Sequence, residues 1–290
     1  MKISAPLYYK RFKCIADKCH HSCCIGWEID IDGITEEKYA SLSEGYGKAI
    51  VESIEHSDIP HFKLGENERC PHLADNGLCR IICELGDDYL CDICREHPRF
   101  YNRTPDGFEV GLGMACEEAC RIILSSDDYC DFYTVEDDGK EWEYDGFDSI
   151  KHRDGILSIL ADTLGYKDKL EKIYGFFSLS EISDSTLKNT LERLEYLDSA
   201  HKELFLNGSV KILTPDREKY LERALAYFVY RHCTEVEDEK DFSASLGFCL
   251  FCVKLLSSLD GDIFDMARIV SEEIEYSEDN TELIKNTINI

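Results

Sequence analysis

The stretch TPDREKYLERALAYFVYRH, residues 214–232, predicts a long helix. Thr214 is a favoured N-cap residue, and Pro215 suits the first helical position because no partner is needed there for a backbone N–H. Apolar residues then recur at spacings of four and three, which places them on one helical face; they are Leu221, Leu225 and Phe228. We therefore expect a helix that begins after Thr214 and ends near His232.

The rest of the chain after residue 150 continues this helical pattern. Two further apolar sets step by four and three residues; they are Leu187, Leu191, Leu194 and Leu197, and Phe242, Leu246, Cys249, Val253 and Leu256. Gly208 and Gly261 stand where helices are expected to end. The segment DIFDMARIVSEEIEY, residues 262–276, is expected to be the penultimate helix. Residues 150–290 are thus predicted to form a helical domain of five or six helices.

The charge of the chain narrows the class of partner. Its 290 residues carry 32 Lys and Arg against 59 Asp and Glu, a formal net charge of -27 at pH 7. Such a surface repels a phosphate backbone, so a nucleic-acid partner is not expected, and it attracts cationic groups such as a lysine side chain of a partner protein.

The sequence shows neither a signal peptide nor an apolar run long enough to span a membrane. The start of the chain, MKISAPLYYKRFKC, shows no apolar signal-peptide core, and the longest apolar run, near Leu246 to Val253, is ended by Lys254. We therefore expect a cytoplasmic protein without a membrane span.

An acidic stretch separates the two halves of the chain. Ten carboxylates and one lysine lie between Asp127 and Asp148, without sustained periodicity. Such a run is typical of a solvated connector, which we place at residues 127–149. Trp142, Tyr144 and Phe147 interrupt the charge, so we expect the connector to pack against the rest of the protein.

Cysteine is concentrated in the first part of the chain, where twelve of the fifteen fall within residues 1–130. Helices are expected near residues 35–55, 79–97 and 115–126, and a short strand near Trp27 to Ile31, with irregular loops between them. Because so little continuous apolar pattern is present, metal ligation would supply the missing constraint on residues 1–126. The predicted fold is α-dominated, with an irregular, Cys-rich, metal-binding N-terminal domain followed by a helical bundle.

The spacing of these cysteines is that of a metal site. Thiolates two to four residues apart can converge on one metal centre, and four of them suit tetrahedral zinc and a [4Fe-4S] cluster equally. The spaced groups are Cys14-x4-Cys19-x3-Cys23-Cys24, Cys79-x3-Cys83, Cys91-x2-Cys94 and Cys116-x3-Cys120. His20, His21, His72 and His97 are near enough in sequence to take part, but a surface or supporting position is favoured for each. Cys233, Cys249 and Cys252 are instead interpreted as small core residues.

Other catalytic motifs are missing from the sequence. We find no Cys-x3-Cys-x2-Cys triad, no phosphate-binding glycine loop after a strand and no His-Glu-x2-His motif. A site for a nucleotide or for S-adenosylmethionine therefore cannot be derived from motifs.

Several of these landmarks together resemble the flagellin lysine N-methylase family. They span residues 6 to about 124 and read Pro6-x-Tyr8-x3-Phe12-x-Cys14-x4-Cys19-x3-Cys23-Cys24-x2-Trp27-x4-Asp32, Cys70-Pro-His-Leu73, Cys94-x3-Pro98-Arg99 and Gly113-Met-Ala-Cys116-Glu117. The resemblance implies a cytoplasmic bacterial enzyme that transfers methyl groups from S-adenosylmethionine to lysine side chains of flagellin. It also implies a [4Fe-4S] cluster held by cysteines of the N-terminal region.

The resemblance extends to individual ligand positions. The cysteines that match the family pattern are Cys14, Cys19, Cys23, Cys24, Cys70, Cys79, Cys94 and Cys116. The chain departs from that pattern at Ala115-Cys116-Glu117-Glu118, where the family commonly has Ser-Cys-Pro-Glu, and it adds Cys83, Cys91, Cys120 and Cys130. These extra thiols leave open which four would bind a cluster.

The implied chemistry suggests further candidates. Methyl transfer to an amine needs a neutral lysine in line with the sulfonium, so a carboxylate or a tyrosine should orient the amine. Glu28, Asp30 and Asp32 are candidates for that role, although their interpretation as exposed acids on a short strand is favoured. Arg95 and Arg99 are candidates for binding the carboxylate of S-adenosylmethionine, with structural ion pairs as the alternative.

Two hypotheses of different class follow from the sequence. The first is an S-adenosylmethionine-dependent protein-lysine methyltransferase with an iron–sulfur cluster. The second is a non-catalytic zinc- or iron-binding module that docks a protein partner, which is favoured by the missing cofactor motif.

Overall fold

The computed structural model describes residues 1–209 and 212–288, and helices dominate this part of the chain. The α-helices are α1 (Gly33–Ala40), α2 (Gly45–Glu52), α3 (Arg80–Leu85), α4 (Asp92–Glu96), α5 (Glu117–Ser125), α6 (Ile150–Leu160), α7 (Tyr166–Phe176), α8 (Asp184–Leu191), α9 (Ser199–Leu206), α10 (Pro215–His232), α11 (Glu239–Ser258), α12 (Ile263–Val270) and α13 (Glu278–Ile288). The strands are β1 (Lys2–Pro6), β2 (Ile54–His56), β3 (Pro60–Phe62), β4 (Arg99–Thr104), β5 (Gly107–Leu112) and β6 (Phe132–Asp137). A π-helical turn, Ser271–Glu275, follows α12.

The chain divides into two compact units whose boundaries do not follow composition. Unit 1 contains Met1–Phe12 and Phe100–Ile290, and unit 2 contains Lys13–Arg99. The predicted boundaries at residues 126 and 149 reflect the cysteine content and the acidic run. The observed division instead follows contacts, because the first strand pairs with strands that lie after residue 100.

Unit 1 contains a four-stranded mixed sheet in the order β4-β5-β1-β6. β1 runs parallel to β5 and antiparallel to β6, so it is an inner strand. Gly107 lies directly beside Lys2 in this register, with φ at 144°, and an added Cβ would lie 2.2 Å from the carbonyl oxygen of Lys2. A side chain at position 107 would therefore push β1 and β5 apart.

The helices of unit 1 pack around α10 and α11. Leu221, Leu225 and Phe228 of α10 are fully buried, and so are Leu246 and Phe248 of α11. The predicted helix after Thr214 is confirmed, and the Thr214 side chain accepts a hydrogen bond from the backbone of Arg217. α11 is apolar and long enough to span a membrane, but 78% of its apolar window is buried inside the fold. Its role in the core therefore explains its composition.

The number of C-terminal helices was predicted too low. Eight α-helices lie between residues 150 and 288 in the described part of the chain, where five or six were expected. The leucine series beginning at Leu187 does not form one helix, because α8 ends at Leu191 and Leu197 is exposed. The segment 262–276 is the penultimate helix as predicted, and it ends in the π-helical turn.

The acidic connector does pack against unit 1, as predicted from its aromatic residues. Part of it forms β6 at the edge of the sheet. The Trp142 indole donates a hydrogen bond to the carbonyl of Thr104 at 2.9 Å and its ring lies 4.8 Å from that of Phe108.

Unit 2 is small and has its own core. Ile29, Ile31, Tyr39, Ile50 and Phe62 are buried together in it. β2 and β3 form a hairpin, and the predicted strand near Trp27 to Ile31 is present only as isolated bridges at Ile25 and Asp30. The expected helices near 35–55 and 79–97 are each divided into two short ones.

The buried carboxylate of Glu273 allows a prediction about the pKa of His201 and the pH dependence of stability. Glu273, in the π-helical turn, accepts hydrogen bonds from the backbone N–H groups of Leu197 and Asp198, and its Oε1 lies 2.5 Å from Nδ1 of His201. This hydrogen bond raises the pKa of His201, burial opposes it, and the charges of Glu273, Asp198 and Glu272 add to the increase.

We therefore expect a pKa for His201 above the ordinary 6.5 when titrated by NMR. Because the folded state holds the proton more tightly, the contribution of this pair to stability is complete below pH 6.5 and is lost as pH rises through the folded pKa. Glu273→Gln should return the pKa towards its ordinary value. Glu203→Gln changes an exposed residue of α9, the helix that carries His201, and should leave the pKa of His201 raised. Equal pKa values of His201 in both variants would contradict the assignment.

Candidate functional site

Five cysteine side chains lie together in the core of unit 2. Cys70 and Cys91 are buried members of that core, and Cys24, Cys79 and Cys94 pack against it. We call these five residues the thiol cluster. Four of them belong to the predicted ligand set; the fifth, Cys91, belongs to the spaced pair Cys91-x2-Cys94 but not to the cysteines that match the family pattern.

The backbone around the thiol cluster explains how the cysteines meet. The N–H of Cys70 donates to the carbonyl of Cys24 at 2.8 Å, so two segments distant in sequence are joined at their cysteines. Cys79 and Cys91 are the residues that precede α3 and α4. A residue in this position is close to the unpaired N–H groups of the first helical turn, which favour a negatively charged atom.

The thiols of the cluster influence one another's pKa values. Hydrogen bonding from Cys23 lowers the pKa of Cys24 to about 7, burial opposes this shift, and Ser22 and Arg69 support it. Burial raises the pKa of Cys70 to about 12, with further increases from Cys24, Cys79 and Cys91. The thiol of Cys24 is therefore easier to ionise than an ordinary cysteine, whereas the thiol of Cys70 is harder to ionise.

Cys91 and Cys94 form a hydrogen-bonded pair within the cluster. The bond lowers the pKa of Cys91 and raises that of Cys94. The backbone N–H groups of Ile81 and Ile82 similarly hydrogen bond to Cys79 and oppose the increase that burial produces in its pKa. Hydrogen bonds from backbone N–H groups to sulfur are also a feature of iron–sulfur sites, where they help to set the reduction potential.

The five thiols lie close together, but they are not arranged to bind one metal ion. Over residues 1–209 and 212–288, no three His, Cys, Asp or Glu side chains are placed to hold a metal ion. The chemistry of the donors nevertheless fits a sulfur-ligated metal group, because five thiols share one core and N–H groups surround them. Sulfur donors suit zinc and iron–sulfur clusters alike.

The other predicted ligands are not part of the core of unit 2. Cys14 and Cys23 are exposed, although Cys23 hydrogen bonds to Cys24 of the thiol cluster. The Cys19 thiol donates to the carbonyl of His21 at 3.2 Å. Cys116 is a half-buried residue of unit 1 and precedes α5. Their part in metal binding stays a prediction.

Asp32, a predicted catalytic carboxylate, connects two helices of unit 2. Its Oδ1 accepts from the N–H of Thr35 and caps α1, while its Oδ2 accepts from the N–H of Asp92 in α4, both at 2.9 Å. Burial acts to raise the pKa of Asp32, but these hydrogen bonds outweigh it and the pKa is lowered. Glu28 is exposed and Asp30 is half-buried, and both help to raise the pKa of His61.

Of the two predicted cofactor-binding arginines, Arg95 lies in α4 and Arg99 is the first residue of β4. Arg95 forms ion pairs with Asp92 and Glu96, which is the structural alternative considered for it. Arg99 directs its guanidinium at the carbonyls of Arg95 and Glu96, at 3.4 and 3.5 Å. A role for either arginine in cofactor binding stays a prediction.

Unit 1 contains a second group of chemically important side chains, which the sequence analysis missed. The carboxylate of Glu275 is completely buried and receives hydrogen bonds from Tyr227 at 3.1 Å and from His232 at 2.6 Å. Arg231 lies 3.5 Å from the same carboxylate and donates to the Tyr227 hydroxyl at 2.9 Å. We call these four residues the Glu275 network.

The Glu275 network reaches the motif at residues 113–116. The N–H of Met114 donates to the Tyr227 hydroxyl at 3.1 Å, so this hydroxyl joins the loop to the buried carboxylate. Burial acts to raise the pKa of Glu275, but Arg231 and His232 outweigh it, and the carboxylate stays ionised. The signal in the sequence was the set of polar residues Tyr227, Arg231 and His232 on a core helix, but their partner is supplied by a π-helical turn that no periodicity reveals.

Two of the cavities of unit 1 are large enough for a small molecule. One, of about 680 Å³, lies between the sheet and α6, and the other, of about 790 Å³, lies among α7, α8, α9 and α11. None of the site residues predicted from the sequence lines either of these two cavities.

Comparison with known proteins identifies relatives with methylase and flagellar names. The chain is 26% identical over 137 residues to the flagellar biosynthetic protein FliU of Salmonella muenchen and, to the same extent, to a lysine-N-methylase of Salmonella typhimurium strain LT2 and one of Salmonella choleraesuis strain SC-B67. No family profile and no solved structure matches.

The matches cover part of each protein. They include 43% of this chain, 79% of FliU and 33% of each lysine-N-methylase, so the aligned part is about a third of the length of those two relatives. Together with the cysteine landmarks, these comparisons support a relationship between this chain and the flagellin lysine N-methylase family.

Proposed function

We propose that this protein is a protein-lysine N-methyltransferase that uses S-adenosylmethionine and acts on a flagellar protein, in the cytoplasm, with an iron–sulfur cluster bound in unit 2. The observation that carries the proposal is the similarity to relatives named lysine-N-methylase. The net charge of -27 supports a substrate that presents lysine side chains.

The thiol cluster is the proposed binding site for the iron–sulfur group. Cys24, Cys70, Cys79, Cys91 and Cys94 include more donors than the four a cluster needs. A bound cluster would add thiolate bonds between the segments that carry these cysteines. Ligation would require ionised thiols, and the N–H groups near Cys79 and Cys91 favour that form.

The proposed reaction is a direct displacement. The neutral amine of a lysine attacks the methyl carbon of the sulfonium, an N–C bond forms, an S–C bond breaks, and the sulfur departs as a thioether. The proton lost by the lysine ammonium passes to solvent. The protein must therefore orient an uncharged amine and exclude water from it.

The metal proposal predicts that Cys91→Ser loses most of its iron. Cys91 is a buried member of the thiol cluster, whereas Cys83 is an exposed cysteine of the same unit and provides the matched control as Cys83→Ser. Both variants and the unaltered protein would be purified without oxygen and assayed for iron, zinc and acid-labile sulfide, with a visible spectrum.

Iron and sulfide in the unaltered protein and in Cys83→Ser, but not in Cys91→Ser, are the expected result. Zinc without sulfide would contradict the iron–sulfur proposal and would favour a structural metal or a docking module. Equal iron in all three proteins would exclude Cys91 as a ligand.

The catalytic proposal is tested by methyl transfer. The protein would be incubated with S-adenosylmethionine carrying a labelled methyl group and with flagellin from the organism that encodes it. We expect labelled methyl-lysine in the flagellin, and an absence of transfer by iron-loaded protein would contradict the proposed activity.

A further inference from the structure

Tyr276 lies at the outer end of the Glu275 network. The Arg231 guanidinium lies 5.0 Å from the centre of the Tyr276 ring and 5.0 Å from that of Phe100. Arg231 also hydrogen bonds to the Tyr276 hydroxyl. Tyr276 is 39% exposed, whereas the side chains of Arg231 and Glu275 are 14% and 0% exposed. The phenol therefore connects a buried charged pair with the surface.

Burial of the ion pair between Arg231 and Glu275 has a high cost in free energy for a purely structural contact. A buried ion pair loses so much hydration that well-packed apolar residues often serve stability equally well. Here the pair is held beside a π-helical turn, a backbone irregularity that is common at functional sites. Tyr276 is the residue that immediately follows this turn, so the turn determines its direction.

The surroundings of Tyr276 are also those of the 113–116 motif. The Tyr227 hydroxyl accepts a hydrogen bond from the N–H of Met114, and Cys116 lies near enough to Tyr276 to raise the pKa of its phenol. The exposed phenol of Tyr276 thus lies near the 113–116 motif in unit 1. The family resemblance depends in part on this motif.

We propose that Tyr276 is a catalytic residue that contacts the substrate lysine amine, with its phenol held by Arg231. The inference rests on the proposed methyltransferase function and names the residue that handles the amine. Arg231 hydrogen bonds to the phenol oxygen, which keeps a second lone pair. That lone pair can accept an N–H of the neutral amine, so the lone pair of the amine stays free to attack. That contact orients the amine for attack on the methyl carbon of the sulfonium.

Tyr276→Phe tests the contact with little change in packing. We expect kcat for methyl transfer to flagellin to fall about 100-fold, the usual effect of a misplaced reacting group, with KM for flagellin and the melting temperature nearly unchanged. Tyr220→Phe is the matched control, because Tyr220 also lies beside an arginine, with the Arg223 guanidinium 5.8 Å from its ring. The control should keep full activity.

A second measurement does not depend on turnover. A photoreactive phenylalanine analogue placed at position 276 should form a cross-link with flagellin on irradiation, and the same analogue at position 220 should not. Equal cross-linking at both positions, or unchanged kcat in Tyr276→Phe, would overturn the role of Tyr276. If the unaltered protein transfers no methyl group, the proposed function fails, and specific cross-linking at position 276 would then still support the contact.

Discussion

Replacing Glu275 with alanine is expected to lower the free energy of unfolding by about 3–5 kcal/mol, the range for breaking a buried ion pair by removing one partner. The substitution leaves the Arg231 guanidinium buried without its carboxylate, and it removes the acceptor of hydrogen bonds from Tyr227 and His232. Urea denaturation followed by circular dichroism measures the change. Glu282→Ala, an exposed change on α13, is the control and should leave stability nearly unchanged.

The size of the loss in stability shows whether the Glu275 carboxylate is buried and paired. If Glu275→Ala and Glu282→Ala lowered stability equally, the Glu275 carboxylate would not be buried and ionised as described. Replacing both charged partners, as Glu275→Leu with Arg231→Met, should recover part of the loss, because no buried charge then stays without a partner.

Arg153→Met is expected to have a second large effect, also about 3–5 kcal/mol. Arg153 is buried between α6 and the sheet, where it donates to Glu109 at 3.1 Å, to Thr234 at 2.9 Å and to Asp154 at 2.8 Å. The methionine fills most of the volume but leaves Glu109, whose side chain is 11% exposed, without a cation.

The matched control for Arg153 is on the same helix. Lys151→Met changes an exposed cation two residues earlier and should change the free energy of unfolding little. Adding Glu109→Leu to Arg153→Met should restore part of the stability. A loss in Arg153→Met no larger than that in Lys151→Met would contradict a buried pair.

The sequence predicted those elements whose causes are local. α10 begins at Thr214 because a side-chain cap and a proline lie side by side there, and both signals are visible within three residues. The sheet escaped prediction because its pairing is distant, with Lys2 opposite both Gly107 and Asp137. A five-residue strand such as β1 has too short a pattern to indicate which partner it joins.

Of the two candidate sites, the thiol cluster was predicted in part from the sequence and the Glu275 network was not. Spacing predicted that cysteines of the N-terminal region come together, and Cys24, Cys70, Cys79 and Cys94 do so. The spacing Cys91-x2-Cys94 also pointed to Cys91, but its burial in the core depends on how α4 packs. The Glu275 network depends on the π-helical turn, which shifts the register of a helix by one residue and so turns Glu275 towards α10.

The order of the strands in unit 1 has a consequence for synthesis on the ribosome. β1 is made first, yet its partners β5 and β6 leave the ribosome only after the whole of unit 2 has been translated. At ordinary rates of translation the delay is about ten seconds, far longer than a small domain needs to fold. The nascent chain therefore carries a strand with exposed backbone N–H and C=O groups beside a complete unit 2, and this interval is when a chaperone that shields strand edges would have most effect on the yield of folded protein.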